Sequence, residues 1–250
     1  MDRSAIPQSA MVMAAGLATR MRPLSLERPK ALMEVAGKTL LDHALDRLAG
    51  VGVARAVVNT HHLAGQIERH LAGRKRPAIT LSHEPEILES GGGIAQALPL
   101  LGPQAFYVVN AKIVWRGGRG EALRRLAETW DDARMDGLLL LHPTVSAVGY
   151  EGAGDFNMDQ LGRIAFRDPR EVAPFVFASI QILHPRLFEG TPAPEAKGAA
   201  FPIHPLWRRA IEAGRLYGLR HDGEWYHVAT PEGLAAAQAG LEIGAGAESA

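Results

Sequence analysis

Two cations and a run of short residues near the start of the chain have the chemistry to hold a polyphosphate. An apolar stretch, residues 11–15, leads into a small-residue loop, and Arg20 and Lys30 follow it. Small side chains let backbone N–H groups approach phosphate oxygens, while a guanidinium and an ammonium neutralise their charge. An isolated turn of this kind is more often an ordinary strand-to-helix connection, but Pro23 and Pro29 at these offsets make the complete string far more specific. The candidate ligand-binding positions in the loop are Ala14, Ala15, Gly16, Leu17, Ala18 and Thr19.

A second glycine-rich segment carries Glu89 and Ser90 followed by three consecutive glycines, of which Gly92 and Gly93 are candidate ligand-binding positions. Glycines that open a helix allow a ligand to lie against backbone amides at the helix N-terminus. Taken alone, the segment is equally consistent with a tight turn. Just upstream, either Glu84 or Glu86 has the chemistry to read the edge of a base, and the sequence does not distinguish them.

The elements that must position these groups alternate between strands and helices in the first half of the chain. The predicted strands cover residues 10–15, 54–59, 78–83, 106–110 and 137–142, and the predicted helices cover residues 39–50, 63–71, 91–98 and 121–132. Such alternation favours right-handed βαβ units and an α/β fold with a mostly parallel central sheet. Parallel sheets bind ligands at the carboxyl ends of their strands, which is where the loop after the first strand falls.

The second half of the chain has a different pattern. Residues 161–167 and 175–183 are predicted strands without a regular helix between them, and residues 189–205 are rich in Pro, Gly and Ala and indicate a loop. Helices are expected at residues 206–213 and from residue 231 onward. No internal repeat or charge block is evident, so we expect a single domain over residues 1–250.

Composition excludes several classes of function. The 27 basic and 27 acidic residues balance to zero net charge, which argues against nucleic-acid or membrane-surface binding driven by bulk charge. The absence of cysteine excludes a disulfide framework, a thiolate metal site and a cysteine nucleophile. No stretch approaches the roughly 20 apolar residues of a transmembrane helix, and no targeting segment is evident. We therefore expect a cytoplasmic protein, and oligomeric state is left open.

The string from residue 11 to residue 38 resembles the signature of the sugar-nucleotide pyrophosphorylases, the nucleoside-diphosphate-sugar nucleotidyltransferases. Their pattern, LAAGxGTRMxPLTxxxPKxLxxVxxKP, is matched by Ala-Ala-Gly at residues 14–16, Thr-Arg-Met at residues 19–21 and Pro-Lys at residues 29–30. Three departures are mild: Ala18 replaces the second glycine, Ser25 replaces a threonine and Thr39 stands where a proline is common. The resemblance implies a Rossmann-like, three-layer nucleotidyltransferase of GT-A-like fold.

That resemblance also implies a reaction and roles for the two cations. A sugar 1-phosphate oxygen attacks the α-phosphorus of a nucleoside triphosphate and releases pyrophosphate, without a covalent enzyme intermediate. Arg20 is expected to grip the leaving phosphates, and Lys30 to bridge the α-phosphate and the sugar phosphate. The resemblance further implies that residues 10–142 form a nucleotide-binding half, in which the segment from Glu89 to Gly93 contacts base and sugar. Residues 143–250 then form the sugar-binding and C-terminal half.

Two further motifs depart from the family pattern where it places metal-binding aspartates. Asn110 and Lys112 lie in a segment resembling V-N-x-D, and Lys112 takes the place of the aspartate that binds Mg²⁺. His227 takes the place of the second aspartate in a segment resembling W-x-D-V-G-T-P-E. A cation repels Mg²⁺, and imidazole suits Zn, Ni or Cu better, so the expected Mg²⁺ cofactor is in doubt for this chain.

Two explanations of these departures compete. Lys112 is either an engineered or unusual substitution that disables metal binding, or a group whose ammonium takes the position of the metal and neutralises phosphate directly. If Lys112 alone is artificial, an Asp/His pair binds the metal in the parent protein; this is the interpretation we favour, with His227 as the candidate metal ligand. The ordinary alternative for His227 is a hydrogen-bonded structural histidine.

Residues 154–164 resemble the G-D-F-x-L-D…G-x-V segment of the N-acetylmuramate 1-phosphate uridylyltransferases within the family. The implied sugar-contacting residues are Asn110, Asp155 and, on the following strand, Ser179, where a glycine is common. The other histidines, His204 among them, are expected to be structural or on the surface. The implied substrates are UTP and N-acetylmuramic acid 1-phosphate, in peptidoglycan recycling. Alternatives are a mannose 1-phosphate guanylyltransferase, a heptose-phosphate nucleotidyltransferase and a non-catalytic nucleotide-sugar sensor.

Overall fold

The computed structural model describes residues 6–192 and 199–247. Its strands are β1 (Ser9–Met13), β2 (Glu34–Val35), β3 (Lys38–Thr39), β4 (Arg55–Thr60), β5 (Ala78–His83), β6 (Phe106–Asn110), β7 (Ile113–Arg116), β8 (Gly137–Pro143), β9 (Phe156–Met158), β10 (Ile164–Phe166), β11 (Phe175–Leu183), β12 (Leu216–Arg220) and β13 (Glu224–His227). Its helices are α1 (Leu24–Glu27), α2 (Leu40–Gly50), α3 (Ala64–Leu71), α4 (Glu89–Leu101), α5 (Ala122–Thr129), α6 (His204–Glu212) and α7 (Pro231–Ala247). Short 3₁₀ turns cover Thr19–Met21, Lys30–Leu32, Thr144–Ser146 and Pro185–Phe188.

Within the described residues, the main sheet has the strand order β12-β8-β11-β6-β1-β4-β5, and β9 and β10 extend it beside β11. Every strand of that row except β11 runs in the same direction. The prediction of a mostly parallel central sheet is therefore confirmed. The first strand, β1, lies between β4 and β6, so the loop that follows it emerges at the middle of the sheet's carboxyl edge.

Alternate residues of β1 reach opposite faces of the sheet, which explains the three layers. Ala10 and Val12 pack with α2, α3 and α5, whereas Met11 packs with α4 and α6. This alternation follows from the two-residue period of a strand, and both faces are buried because helices cover each of them. The site is thus held by an inner sheet that is apolar on both sides.

Helix α2 shows why the sequence folds as it does locally. Its apolar residues recur at helical spacing, and Leu41, Leu45 and Leu48 are fully buried against the sheet. The Thr39 hydroxyl accepts a hydrogen bond of 3.0 Å from the Asp42 N–H and caps the helix. The predicted boundaries for this helix and for β5, β6 and β11 agree with the structure to within one residue.

Several short strands had no clear signal in the sequence, notably β7, β9, β12 and β13. The predicted strand at residues 161–167 is reduced to β10, which pairs with β9 as a hairpin. Part of the predicted loop at residues 189–205 lies outside the described residues. β7 and β13 form a separate antiparallel pair in which Ile113 faces His227. That pair matters for the site because it brings the chain after Asn110 against a strand from the far end of the sequence. In the described residues no helix is long and apolar enough to cross a membrane.

Candidate active site

Two cavities open side by side along the carboxyl edge of the sheet. The larger has a volume of about 470 Å³. The smaller has a volume of about 220 Å³. Four residues line both cavities: Met13, Ser90, Asn110 and Lys112. The two spaces therefore meet at the ends of β1 and β6, and a ligand with two parts can extend from one into the other.

The loop after β1 and the start of α4 form most of the smaller cavity. Its wall includes Ala14, Ala15, Gly16, Lys30 and Glu89 from the predicted nucleotide-binding and catalytic sets. Leu17, Ala18 and Thr19 continue the loop away from this wall, and Leu17 is 42% exposed. The sequence string thus contributes its first half to the cavity and its second half to the turn that carries Arg20.

A buried hydrogen-bond chain fixes the loop in place. The Ala14 N–H donates to Asn59 Oδ1 at 2.6 Å, and Asn59 Nδ2 donates to Glu84 Oε1 at 2.7 Å. The other carboxyl oxygen of Glu84 accepts from the Leu88 N–H at 3.0 Å. Glu84 is 1% exposed and lines the smaller cavity, whereas Glu86 is exposed and does not. Of the two glutamates left open by the sequence, Glu84 is the one at the site, and it connects β1, β4 and α4.

The three glycines of α4 serve packing rather than an open amide surface. The N–H groups of Gly91 and Gly92 donate to the Phe201 carbonyl at 2.8 and 3.1 Å. A Cβ on Gly93 would lie 2.6 Å from Glu84 Oε1, so any larger residue would displace the buried carboxyl group. The Gly91 and Gly92 amides are thus engaged within the protein, and the role of Gly92 and Gly93 in nucleotide binding stays a prediction. The glycines let residues 199–201 and Glu84 approach the helix that lines both cavities.

Three cations, Arg20, Lys30 and Lys112, interact electrostatically near the junction between the cavities. Burial, followed by the positive charges of Lys112 and Arg20, lowers the pKa of Lys30 from its ordinary 10.5 to about 8. Burial and then the charge of Arg20 also lower the pKa of Lys112, while Asp155 opposes this shift. Arg20 itself is exposed and does not line either cavity, but its charge reaches both lysines. Such mutual repulsion is relieved when a polyanion binds among the three groups.

His227 lies beside this cluster and is uncharged near neutral pH. Burial is the largest cause that lowers the pKa of His227 to about 4, and the positive charges of Lys112, Lys30 and Arg20 lower it further. Its ring stacks on Trp225 with centroids 5.6 Å apart and an interplanar angle of 12°. Trp225 in turn donates from Nε1 to the Ala178 carbonyl at 3.0 Å. The imidazole is therefore held rigidly on the wall of the larger cavity.

The larger cavity is built from side chains of distant segments. Its aromatic wall includes Phe177, Trp207 and Trp225, and its polar wall includes Asp155 and Arg167. Asp155 Oδ2 accepts from the Phe177 N–H at 2.8 Å, so the carboxylate is fixed against β11. Mostly apolar walls with a few placed polar groups are typical of small-molecule sites.

Main-chain carbonyls hold Arg167, and its Nη2 forms no hydrogen bond to another residue in the part of the chain that the structure describes. Its Nε donates to Gly154 at 3.1 Å, and its Nη1 donates to the carbonyls of Asp168, Pro169 and Glu171 at 2.8–3.0 Å. Within residues 6–192 and 199–247, no carboxylate forms an ion pair with this guanidinium. The larger cavity therefore contains a rigid cation with bonding capacity for an anionic ligand group.

Three non-glycine residues of the site have left-handed backbone conformations. The φ angles are 50° at Ala18, 59° at Glu89 and 64° at Ser179. Side chains with a Cβ adopt this region at a cost of about 1–2 kcal/mol each. Ala18 and Ser179 stand where the sequence pattern has glycine. The left-handed conformation, which glycine adopts without strain, is therefore kept at both positions by residues that carry a Cβ. Such strain is frequently located at functional sites.

The residues at the junction do not fit a magnesium ion held by the protein. Mg²⁺ prefers oxygen ligands, and here Asn110 and a neutral His227 accompany the ammonium of Lys112. Within the described residues, no group of three or more His, Cys, Asp or Glu side chains is placed to hold a metal. The role of His227 as a metal ligand stays a prediction.

Sequence reasoning missed several residues of the larger cavity. His204, expected to be structural or on the surface, lies at the start of α6 and lines this cavity. Tyr150, Arg167 and Trp207 also line it. No local spacing marks them, because they come from separate loops and from a helix that follows residues 193–198. The predicted substrate-binding residues Asn110, Asp155 and Ser179 do lie on the cavity walls.

Comparison with known proteins agrees with this geometry. A family model described as nucleotidyl transferase matches residues 9–150, more than half of the chain. The chain belongs to the nucleotidyl transferase family. Both cavities of this nucleotidyl transferase open where the matched segment contributes β1, β4 and β6, and the prediction made from the signature string is confirmed.

Individual relatives agree with that assignment. The chain is 42% identical over 243 residues to the N-acetylmuramate alpha-1-phosphate uridylyltransferase of Caulobacter vibrioides, covering 95% of this chain and 98% of that protein. It is 34% identical over 229 residues to the mannose-1-phosphate guanylyltransferase catalytic subunit beta of Drosophila pseudoobscura pseudoobscura, covering 89% of this chain and 59% of that protein. A solved structure of UDP-glucose pyrophosphorylase complexed with UDP-glucose superposes with a TM-score of 0.78 over 94% of this chain and 98% of that one, at 15% identity. The last likeness shows the shared nucleotidyl transferase fold.

Proposed function

We propose that this nucleotidyl transferase joins UMP from UTP to N-acetylmuramic acid 1-phosphate and releases pyrophosphate. The observation that carries the proposal is the pair of cavities meeting at a cationic junction, with Lys112 on the walls of both and Lys30 on the wall of the smaller. A nucleotide in the smaller cavity and a sugar phosphate in the larger would bring their phosphates together there. The likeness to the Caulobacter uridylyltransferase supports the choice of base and sugar.

In the proposed reaction, an oxygen of the sugar phosphate attacks the α-phosphorus of UTP. The new P–O bond forms as the bond from the α-phosphorus to the bridging oxygen breaks, and pyrophosphate leaves with the electron pair. Lys30 and Lys112 stabilise the charge that develops on the α-phosphate oxygens, and Arg20 holds the departing phosphates. The rigid sheet edge supplies orientation, which converts a bimolecular encounter into an aligned, intramolecular step. The product, UDP-N-acetylmuramate, belongs to peptidoglycan recycling.

Arg167 favours a muramate over a plain hexose. N-acetylmuramic acid carries a lactyl carboxylate that mannose and N-acetylglucosamine lack. A guanidinium without a carboxylate partner in the larger cavity offers that group a charge-assisted hydrogen bond. A neutral hexose would leave the same cation without an anion beside it.

The experiment that tests the proposal is product formation across a panel of substrates. Purified protein is incubated with each of UTP, GTP, CTP and dTTP, combined with the 1-phosphates of N-acetylmuramic acid, N-acetylglucosamine, mannose and a heptose. Pyrophosphate release and the mass of the nucleotide sugar are measured. We expect UTP with N-acetylmuramic acid 1-phosphate to give the highest kcat/KM, by at least about tenfold. A maximum with GTP and mannose 1-phosphate would replace this proposal by the guanylyltransferase alternative.

The second candidate function is a non-catalytic sensor of nucleotide sugars. The observation that favours it is the pair Lys112 and His227 in the places where a metal-binding catalyst would carry carboxylates. Tight binding of a nucleotide sugar without turnover of any pair would support this candidate and overturn the catalytic one.

A further inference from the structure

Among the described residues, Lys112 is the one charged side chain that lines both cavities. Of the four residues common to the two cavities, three are uncharged, and Lys112 is the only cation among the described residues that lines both. A ligand that spans the junction must therefore pass this ammonium. Lys30, by contrast, lines the smaller cavity alone.

The backbone of Lys112 is fixed from two sides. Its N–H donates to the Asn110 carbonyl at 2.7 Å, and its own carbonyl accepts from the Val228 N–H at 2.8 Å. The adjoining strands β7 and β13 pair in register, with Ile113 opposite His227. The tight turn after β6 is thus locked to the C-terminal part of the chain, and the side chain starts from a preorganised position.

The charge around Lys112 is not balanced by the protein. In the described part of the chain, Arg20, Lys30 and Lys112 take part in no ion pair. Asp155 acts on Lys112 electrostatically but lies beyond ion-pair distance, and its carboxylate is already bonded to the Phe177 N–H. Charges removed from water without partners are costly, so an anion that reaches the ammonium groups of Lys30 and Lys112 stabilises the arrangement.

We propose that the ammonium of Lys112 binds the reacting phosphates directly, at a junction where, among the described residues, no group of three or more His, Cys, Asp or Glu side chains is placed to hold a divalent cation. The inference rests on the proposed function for the identity of the phosphates. The protonated Lys112 side chain supplies three N–H donors and a positive charge, and it lines the smaller cavity together with Lys30. It would bridge the sugar phosphate and the α-phosphate and neutralise their mutual repulsion, with no change in coordination during the reaction.

Binding, rather than turnover, provides the test. The affinity for UDP-N-acetylmuramate is measured by isothermal titration calorimetry in EDTA and in excess Mg²⁺, for the wild type, Lys112→Met and Lys112→Asp. We expect the wild-type Kd to change less than about twofold between the two conditions. Lys112→Met should bind at least about 30-fold more weakly in both. Lys112→Asp should bind weakly in EDTA and recover at least about tenfold when Mg²⁺ is added.

Two controls separate a local charge effect from general damage. Lys75 is an exposed lysine that lines neither cavity, and Lys75→Asp makes the same charge change away from the site, so its Kd should match the wild type. Mn²⁺ titration followed by electron paramagnetic resonance should show no bound ion at the junction of the ligand-free wild type and one bound ion in Lys112→Asp. Circular dichroism and thermal unfolding establish that each variant is folded before it is scored.

The outcomes that overturn the inference are distinct from those that overturn the proposed function. Wild-type binding that tightens at least tenfold with Mg²⁺, or Lys112→Met binding in EDTA with wild-type affinity, would exclude direct phosphate binding by Lys112. Inorganic pyrophosphate, which carries neither base nor sugar, is titrated in EDTA as a second probe. If the substrate panel yields no product, the proposed function fails, while the pyrophosphate titration still decides whether Lys112 binds phosphate.

Discussion

The two cavities are built in different ways, although they share one wall. The smaller cavity is lined by residues that all lie between positions 13 and 112, chiefly in the loop after β1 and at the start of α4. Many of these residues are small. The larger cavity draws side chains from β6, β11, β13 and α6 and from the loops around residues 150–167. Under the proposed function, the nucleotide would therefore meet mostly small residues from the N-terminal half of the chain, whereas the sugar would meet side chains that the fold assembles from distant segments.

The largest loss of activity is expected from a change at the junction, where both substrates should be affected equally. Lys30→Met removes a half-buried cation that, under the proposed function, pairs with the phosphates, and truncating one partner of a buried charge pair costs about 2–5 kcal/mol. We expect kcat/KM to fall about 100- to 1000-fold whether UTP or the sugar phosphate is varied. Steady-state kinetics with each substrate in turn measure this. Lys75→Met, at an exposed lysine, is the control, and a loss confined to one substrate would contradict a shared phosphate site.

A change confined to the larger cavity should affect one substrate alone. Arg167→Met removes the guanidinium and should raise KM for N-acetylmuramic acid 1-phosphate about 10- to 100-fold, because a hydrogen bond to a charged group contributes about 1.5–3 kcal/mol. KM for UTP should stay within about twofold. The rate with N-acetylglucosamine 1-phosphate distinguishes the two explanations of any loss, since damage to the loop would weaken both sugars equally. Arg170→Met, at an exposed arginine on the same loop, is the matched control.

The pH dependence of the junction should follow Lys30. Its pKa is lowered to about 8, so the cation is lost as the pH rises through 8, and phosphate binding weakens in the same range. We expect kcat/KM for UTP to fall about tenfold per pH unit above pH 8, because this parameter reports groups of the free enzyme. Lys30→Arg, which keeps its charge, should move the decline upward by more than about one pH unit. A wild-type profile that is flat to pH 10 would show that Lys30 is not the titrating group.

The wall of the smaller cavity should be sensitive to a single exchange of oxygen for nitrogen. In Glu84→Gln, the new amide N–H₂ would face either Asn59 Nδ2 or the Leu88 N–H, both of which are donors. We expect the free energy of unfolding to fall by about 1–3 kcal/mol and KM for UTP to rise, with little change in KM for the sugar phosphate. Urea unfolding and steady-state kinetics measure these effects. Glu86→Gln, at the exposed neighbour, should stay within about 0.5 kcal/mol of the wild type.

The smallest effect is expected in the loop itself, and it is a gain. Ala18 has a φ of 50°, which glycine adopts without strain, so Ala18→Gly should raise the free energy of unfolding by about 0.5 kcal/mol after the added chain entropy is subtracted. That corresponds to about 1–2 °C in Tm, measured by differential scanning calorimetry. Ala213→Gly, at a residue with a φ of −78°, should shift Tm in the opposite direction. A loss at Ala18 as large as that at Ala213 would contradict the strain argument.

The sequence was informative where contacts are local. The string around Arg20 and Lys30 predicts the family, and hydrophobic periodicity predicts β5, β6, β11 and α2 nearly to the residue. It was uninformative for β7 and β13, because two short strands gain stability only by pairing with each other across more than a hundred residues. The same reason hides His204 and Arg167, whose neighbours in the cavity are distant in the chain.

The amino-acid sequence by itself determined that this chain is a nucleotidyl transferase, because its small residues and cations stand at the spacing of that family's signature. It also showed that Lys112 and His227 stand where the family pattern has aspartates. Only the tertiary structure decided what those residues face. It placed Lys112 on the wall of both cavities, held His227 uncharged against Trp225, and placed Glu84 rather than Glu86 on the wall of the smaller cavity. Burial and electrostatic coupling depend on which segments the fold brings together, and no spacing along the chain specifies them.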